Sequence, residues 1–194
     1  MGLDMYLSAK KFVSGYEYQG KEATKPYRDL MTHLGIEGSK DAPSAEVSVN
    51  IGYWRKANAI HGWFVRELAD GVDECQPINA PREKLEELRK LCIEALAKKP
   101  ALVAPSNTGK TIEFSSEEVE DVHQVIMDAF AAEQHSKEFN DPNDNDPLRP
   151  TQGFFFGGSE KDEWYYQDLV ETVSILNEAL ALDKEWRFEY QASW

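Results

Sequence analysis

Two stretches of the sequence combine aromatic, charged and hydrogen-bonding residues at a spacing that could form a binding site. The first stretch, residues 52–64, supplies the candidate ligand-binding residues Trp54, Arg55, Lys56, Asn58 and His61. On a helix, Trp54, Asn58 and His61 would share one face, because they lie three and four positions apart. Guanidinium and ammonium groups can hold an anion, and an indole ring can stack on a planar group. This stretch therefore predicts one wall of a pocket for an anionic or nucleotide-like ligand.

The second stretch, residues 154–166, places glycines and carboxylates at the start of a predicted helix. Its candidate ligand-binding residues are Asp162, Glu163, Trp164 and Tyr165. The Gly157-Gly158-Ser159 run leaves backbone amides that could receive an anion at the helix N-terminus. The acidic residues also complement the helix dipole by themselves, and they could pair with the basic residues of the first stretch. We expect the two stretches to lie together, either as a site or as an ion-pair cluster that joins two elements.

Asn58 and His61 allow two interpretations. If they are buried, each needs a hydrogen-bonding partner, and they could satisfy backbone groups of a neighbouring strand. In an enzyme, His61 would act as acid or base, Arg55 and Lys56 would hold a phosphorylated or nucleotide-like substrate, and a carboxylate of the second stretch would be the partner. No catalytic residue is assigned, and whether the protein is an enzyme stays open.

Weaker motifs do not predict a cofactor or a metal. Residues 104–111 end like a phosphate-binding loop, but Ala104 stands where glycine is required. Residues 141–152 begin like a calcium loop but lack the glycine at position six and the glutamate at position twelve. The four histidines have no spacing typical of zinc ligands, and no nucleophile motif is present. We expect Cys75 and Cys92 to be reduced thiols.

The net charge and the hydropathy of the chain argue against nucleic acid and membranes as binding partners. The 194 residues carry a formal net charge of −14, which repels nucleic acid and anionic membranes. No apolar run is long enough to span a membrane and no signal peptide is evident, so we expect a cytoplasmic protein. The acidic surface could favour solubility, bind a basic protein, or imitate nucleic acid, whose charges lie about 1.7 Å apart along the duplex.

The hydrophobic periodicity predicts an α+β fold in a single domain, residues 1–194. Alternating residues predict strands, and apolar residues three and four apart predict helices. The predicted strands are 3–13, 46–51, 154–156 and 186–190. The predicted helices are 27–34, 53–68, 81–99, 115–130 and one that begins after Ser159 or Asp162. Together they indicate a small mixed or antiparallel sheet packed against about four helices.

Three blocks of the sequence resemble a family of small proteins encoded by bacteriophages and prophages. The blocks are GLDMYL at residues 2–7, GYWRKANAIHGWF at 52–64, and FFFGGS with DEWYYQDL at 154–169. The third block departs from the family pattern by one glycine, Gly158. The resemblance implies a phage origin and action in the cytoplasm of a bacterium, but it carries over no activity.

These observations favour a phage accessory protein that acts by binding a host factor, a component of a defence pathway or a nucleotide-like ligand. The alternative is a small enzyme that acts on a phosphorylated or nucleotide-like molecule. A third possibility is a structural or assembly protein.

Overall fold

The computed structural model describes residues 2–98, 146–151 and 161–194 of the chain. Within these ranges the fold is α+β, as predicted, with a four-stranded antiparallel sheet and four α-helices. The elements are β1 (Asp4–Ser14), a 3₁₀ turn (Glu17–Gln19), α1 (Lys25–Leu34), β2 (Ser44–Arg55), α2 (Asn58–Leu68), β3 (Ile78–Asn79), α3 (Arg82–Ala97), α4 (Glu163–Ala181) and β4 (Arg187–Ser193).

The sheet has the strand order β2-β1-β4-β3. The alternation that predicts β1 also decides which face is buried, because Leu3, Met5, Leu7 and Ala9 are completely buried. The opposite face of β1 carries polar groups; there Ser8 donates a hydrogen bond to Asn50, and Lys10 pairs with Glu189.

The β1–β2 pairing contains a bulge beside Gly52. Leu7 pairs with Gly52 but Ser8 pairs with Asn50, so β2 has one extra residue at this point. A Cβ atom at position 52 would overlap Ile175 Cγ2 of α4. Glycine therefore allows α4 to approach the sheet closely at the bulge.

Helices α2, α3 and α4 supply apolar residues that form one core with the buried face of the sheet. The first turns of α2 are buried on all sides, which includes Asn58, His61, Trp63 and Phe64. Helix α3 buries Leu85, Leu88 and Cys92, and α4 buries a stripe from Tyr165 to Ala179. None of the helices in the described ranges is long and apolar enough to cross a membrane.

The first stretch does not form a helix from Tyr53 onward, which corrects the prediction for residues 53–68. Tyr53, Trp54 and Arg55 pair with Tyr6, Met5 and Asp4 as the end of β2, and α2 begins at Asn58. Trp54 fits both the strand and the helix period, so periodicity alone could not place the boundary. Pairing with β1 decides it, because Trp54 enters the core while its neighbours Tyr53 and Arg55 are exposed.

The other predicted elements in the described ranges are confirmed, with shifted ends. Strand β2 is longer than predicted at both ends, and the two-residue strand β3 has no alternation to reveal it. The helix predicted from Pro81 begins one residue later, with Pro81 at its cap. The phosphate-loop-like residues 104–111, the predicted helix 115–130, the predicted strand 154–156 and half of the calcium-loop-like residues 141–152 lie outside the described residues.

Candidate functional site

Trp54 is a core residue. Its side chain is 1% exposed, its Nε1 donates a 2.9 Å hydrogen bond to Thr172 Oγ1 of α4, and its ring lies 6.4 Å from that of Phe64. The hydroxyl of Thr172 in turn donates to the Asp168 carbonyl. The indole therefore joins β2 to α4, and it is not exposed for stacking on a ligand.

Arg55, the last residue of β2, and Lys56, in the turn to α2, are both exposed. Lys56 has a positive φ of 64°, and its amide donates to the Leu3 carbonyl at 2.8 Å. Ala57, with φ −71° and ψ 71°, forms an inverse γ-turn that is closed by the 2.7 Å bond from the Asn58 amide to the Lys56 carbonyl. This turn lets the chain pass from strand to helix within two residues and leaves both basic side chains at the surface.

The buried His61 bridges the core residue Tyr190 and the partly exposed Asp73, and we call these three residues the His61 network. The imidazole is 1% exposed; Nδ1 lies 2.8 Å from Tyr190 Oη and Nε2 lies 2.9 Å from Asp73 Oδ2. Burial raises the pKa of Tyr190 well above its ordinary value, with a further contribution from Asp73, so this hydroxyl keeps its proton. In the neutral imidazole, Tyr190 then donates to Nδ1, and Nε2–H donates to the carboxylate.

The His61 network uses both ring nitrogens of His61 in protein contacts. A histidine that serves as acid or base for a substrate needs one nitrogen within reach of the substrate. The geometry therefore supports the interpretation of His61 as a satisfied buried group, although its partners are side chains and not the predicted backbone groups. Sequence reasoning missed Asp73, which lies in a loop without a motif, and placed Tyr190 only in the predicted strand 186–190.

The second stretch begins α4 with a capping interaction. Asp162 accepts a 3.0 Å hydrogen bond from the Tyr165 amide and is the N-cap, as one of the two predicted candidates; the other, Ser159, lies outside the described residues. Glu163 is exposed, Trp164 is 72% exposed, and Tyr165 is buried with its ring edge-on to that of Tyr166.

The described residues contain no ion pair between the basic residues of the first stretch and Asp162 or Glu163. The first stretch instead contacts α4 beyond the second stretch, through the hydrogen bond from Trp54 to Thr172. Thr172 lies ten residues beyond Asp162, which is roughly 15 Å along a helix. The predicted pairing of Arg55 and Lys56 with these carboxylates is therefore not formed in this part of the chain.

Asp168 is the carboxylate of α4 whose protonation is most strongly altered by its surroundings. Burial, together with smaller contributions from the charges of Glu171 and Asp162, raises the pKa of Asp168 to about 7. Sequence reasoning missed this residue, because a single aspartate between apolar helix positions carries no motif. A carboxyl group that titrates near neutral pH is a feature of functional sites and also of buried structural groups.

A groove lies between α1 and β2, and we call it the α1–β2 groove. It has a cavity volume of about 470 Å³. The α1 side is lined by Tyr27, Leu30, Met31, Leu34 and Ile36, and the β2 side by the consecutive residues 44–48. Tyr27 anchors α1 by packing on Gly15 and Gly38, where a Cβ atom would overlap its ring or hydroxyl.

The groove combines exposed apolar side chains with little charge. Leu34 and Ile36 are each 55% exposed, and of the lining residues only Glu46 is charged. A sequence signal for the groove existed: Tyr27, Leu30, Met31 and Leu34 follow the spacing of an apolar helix face, yet only Tyr27 is buried. The spacing predicted the helix correctly. It could not show that, among the described residues, no element packs over the apolar face of α1.

No family model matches the chain, and a search of curated proteins and of solved structures finds no match either. The resemblance to phage proteins therefore stays a prediction that depends on the three sequence blocks. The α1–β2 groove and the His61 network are the features from which a function can be argued.

Proposed function

We propose that this chain is a phage-encoded accessory protein that acts by binding a partner protein, and that the α1–β2 groove receives the partner. The groove is the single observation that carries the proposal. Large apolar side chains beside an outer strand, surrounded by polar residues, are typical of protein interaction sites. A host factor or a component of a bacterial defence pathway is the class of partner that the phage resemblance favours, and the bacterial cytoplasm is where the two would meet.

The geometry of the groove supports binding of a protein segment more than binding of a nucleotide. A nucleotide requires a cation or a cluster of backbone amides for its phosphates, and the residues that line the groove include no basic side chain. Apolar side chains on a helix wall next to a strand are the surfaces that peptide-binding domains offer.

Catalysis has less support within the described residues. Trp54 is buried in the core, and both nitrogens of His61 bind protein side chains. Arg55 and Lys56 lie at the surface without the predicted carboxylate partners, so the arrangement required by the enzymatic alternative is not assembled here.

Affinity capture from a lysate of bacterial cells tests the proposed function. Tagged wild-type chain and the variant Leu34→Lys are compared by quantitative mass spectrometry. We expect at least one protein to be retained by the wild type and depleted about tenfold with Leu34→Lys, because the ammonium group would enter the apolar wall. Leu34 is more than half exposed, so the variant should fold.

Val72→Lys is the matched control, since Val72 is 49% exposed and does not line the groove. It should retain the same proteins as the wild type. If no protein is retained specifically by the wild type, or if both variants lose the same proteins, the proposed function is wrong. A nucleotide-sized mass that remains bound in native mass spectrometry and is lost with Arg55→Ala would support the small-molecule alternative instead.

A further inference from the structure

We propose that the α1–β2 groove binds an extended segment of a partner protein, which adds to the sheet as a strand along the outer edge of β2 and carries basic residues beside its apolar ones. This inference rests on the proposed function and specifies the chemistry of the partner. It is argued from the position of β2, from the apolar wall of α1 and from the charge of the groove.

The position of β2 provides a backbone edge for strand addition. Strand β2 is the outermost strand of the described sheet and pairs there only with β1, along its whole length from Ser44 to Arg55. Its second edge thus faces away from the described strands. Five consecutive residues, 44–48, border the groove, and an extended segment laid beside them would span roughly 16 Å. Amide and carbonyl groups of an outer strand can bind such a segment independently of its side chains.

The wall of α1 provides the side-chain contacts. Leu30, Met31 and Leu34 line one side of the groove, and Ala45 and Val47 line the other. Successive side chains of an added strand would alternate between the groove and solvent, so every second residue should be apolar. The cavity volume of about 470 Å³ lies within the range of sites that bury a bound ligand.

Charge complementarity selects basic flanking residues. The only charged residue of the groove lining, Glu46, already pairs with Arg187 at 3.0 Å, so the preference for a basic segment comes from the charge of the chain and from α1, which points the carbonyl end of its dipole toward the Gly35–Ile36 end of the groove. The whole chain carries a net charge of −14, so its mean field attracts a positively charged segment. The same field opposes a second copy of this chain as the occupant, because two copies would bring their negative charges together.

Fluorescence anisotropy with designed peptides tests the inference on the full chain. The probe is a labelled ten-residue peptide in which three alternating valine–threonine pairs stand between two lysines at each end. A second peptide replaces the four lysines by glutamates. Two further peptides carry N-methyl groups on the backbone amides of either the odd or the even positions, because only one of these sets can face β2.

The lysine peptide should bind saturably, and Leu34→Lys should weaken its binding at least about tenfold whereas Val72→Lys should not. One N-methylated peptide should lose at least about tenfold in affinity and the other should keep it. The glutamate peptide should bind at least about tenfold more weakly at low salt. Light scattering should give the mass of a single chain.

The inference would be overturned if the lysine peptide shows no saturable binding up to about 1 mM, or if both N-methylated peptides bind equally. It would also be overturned if the glutamate peptide binds as tightly as the lysine peptide or more tightly. The fourth contrary outcome is a dimer of this chain that Leu34→Lys dissociates and Val72→Lys does not. The last outcome would make a second copy the occupant. If the peptides fail while lysate capture still depends on Leu34, the mode of binding is wrong and the proposed function stands. If capture also fails, both are wrong.

Discussion

Tyr190 and Tyr53 make similar hydrogen bonds in opposite surroundings. Tyr190 is fully buried, stacks on Phe64 at a centroid distance of 3.9 Å and bonds to His61 at 2.8 Å. Tyr53 lies on the polar face of the sheet and donates to Asp4 at 2.6 Å. Water can replace the partner of an exposed group but not of a buried one, so the two hydroxyls should contribute differently to stability.

We predict that Tyr190→Phe lowers the free energy of unfolding by about 1–2 kcal/mol, because it leaves Nδ1 of His61 buried without a donor. Tyr53→Phe is the matched control and should change stability by less than about 0.5 kcal/mol. Urea unfolding of the two variants measures the difference. Equal effects would show that the His61 network contributes no more than a surface hydrogen bond.

The pKa of Asp168 provides a second prediction at the residue scale. Because its pKa is raised from 3.8 to about 7, the folded protein binds more protons than the unfolded chain between these values. The free energy of unfolding should therefore fall as the pH rises from about 4 to about 7. Asp168→Asn removes the carboxylate whose burial is unfavourable. The variant should therefore be more stable than the wild type at pH 8 by roughly 2–4 kcal/mol and nearly equal to it at pH 4.

Urea unfolding at both pH values checks the prediction for Asp168, and Asp41→Asn at an exposed position serves as the control. The control should show no such gain at pH 8. A variant Asp168→Asn that is less stable than the wild type at pH 8 would mean that the carboxylate has a stabilising partner and is not destabilised by burial.

At the scale of elements, the position of α4 over the sheet depends on the bulge in β2. The extra residue lies next to Gly52, which is the point where Ile175 approaches most closely. The same helix receives the Trp54 hydrogen bond at Thr172, one turn earlier. Two contacts on adjacent turns therefore hold α4 against β2. At Gly52 the missing side chain makes room for Ile175, and at Trp54 the buried indole donates a hydrogen bond to Thr172.

We predict that Gly52→Ala destabilises the fold by about 1–3 kcal/mol, because the new Cβ would overlap Ile175 Cγ2. Ile175→Ala removes the overlapping atom, so the double variant should be more stable than the sum of the two single effects by at least about 1 kcal/mol. A double-mutant cycle in urea measures this coupling. If the two effects are additive, the loss of stability in Gly52→Ala comes from the backbone of the bulge and not from the contact with Ile175 of α4.

The sequence reveals the elements better than their contacts. Regular alternation predicts β1 and β4, and the spacing of Leu85, Leu88 and Cys92 predicts α3, because local periodicity reflects burial. The start of α2 could not be predicted, since Trp54 fits both periods and only pairing with Met5 decides it. Neither could the His61 network, whose members are brought together by tertiary packing across 12 and 129 positions of sequence.

The residues of the candidate site also could not be placed from the sequence, because their burial depends on tertiary packing. Sequence reasoning selected residues by chemical type, and the described structure places Trp54 and His61 in the core and Arg55 at the surface. The α1–β2 groove has no chemical motif. It exists because the loop after α1 and the outer strand β2 leave an apolar helix face accessible, which is a property of their arrangement.

At the scale of the whole molecule, charge opposes folding. The chain has 35 acidic and 21 basic residues, and the excess of negative charge repels itself more strongly in the compact state than in the unfolded chain. Surface ion pairs such as Arg187–Glu46 act in the other direction, but exposed pairs contribute at most about 1 kcal/mol each. The net repulsion should dominate the response to salt.

We therefore predict that raising NaCl from about 0.02 M to about 0.5 M at pH 7.5 increases the melting temperature by on the order of 5 °C, because the Debye length falls from about 20 Å to about 4 Å and repulsion between neighbouring carboxylates is screened. The control is the same titration near pH 4.7, the isoelectric point, where the net charge is close to zero. There the salt should have little effect or lower the melting temperature, since only attractive pairs remain to be screened. An equal increase at both pH values would indicate that salt stabilises the protein through apolar burial, and a decrease at pH 7.5 would show that the ion pairs outweigh the net charge.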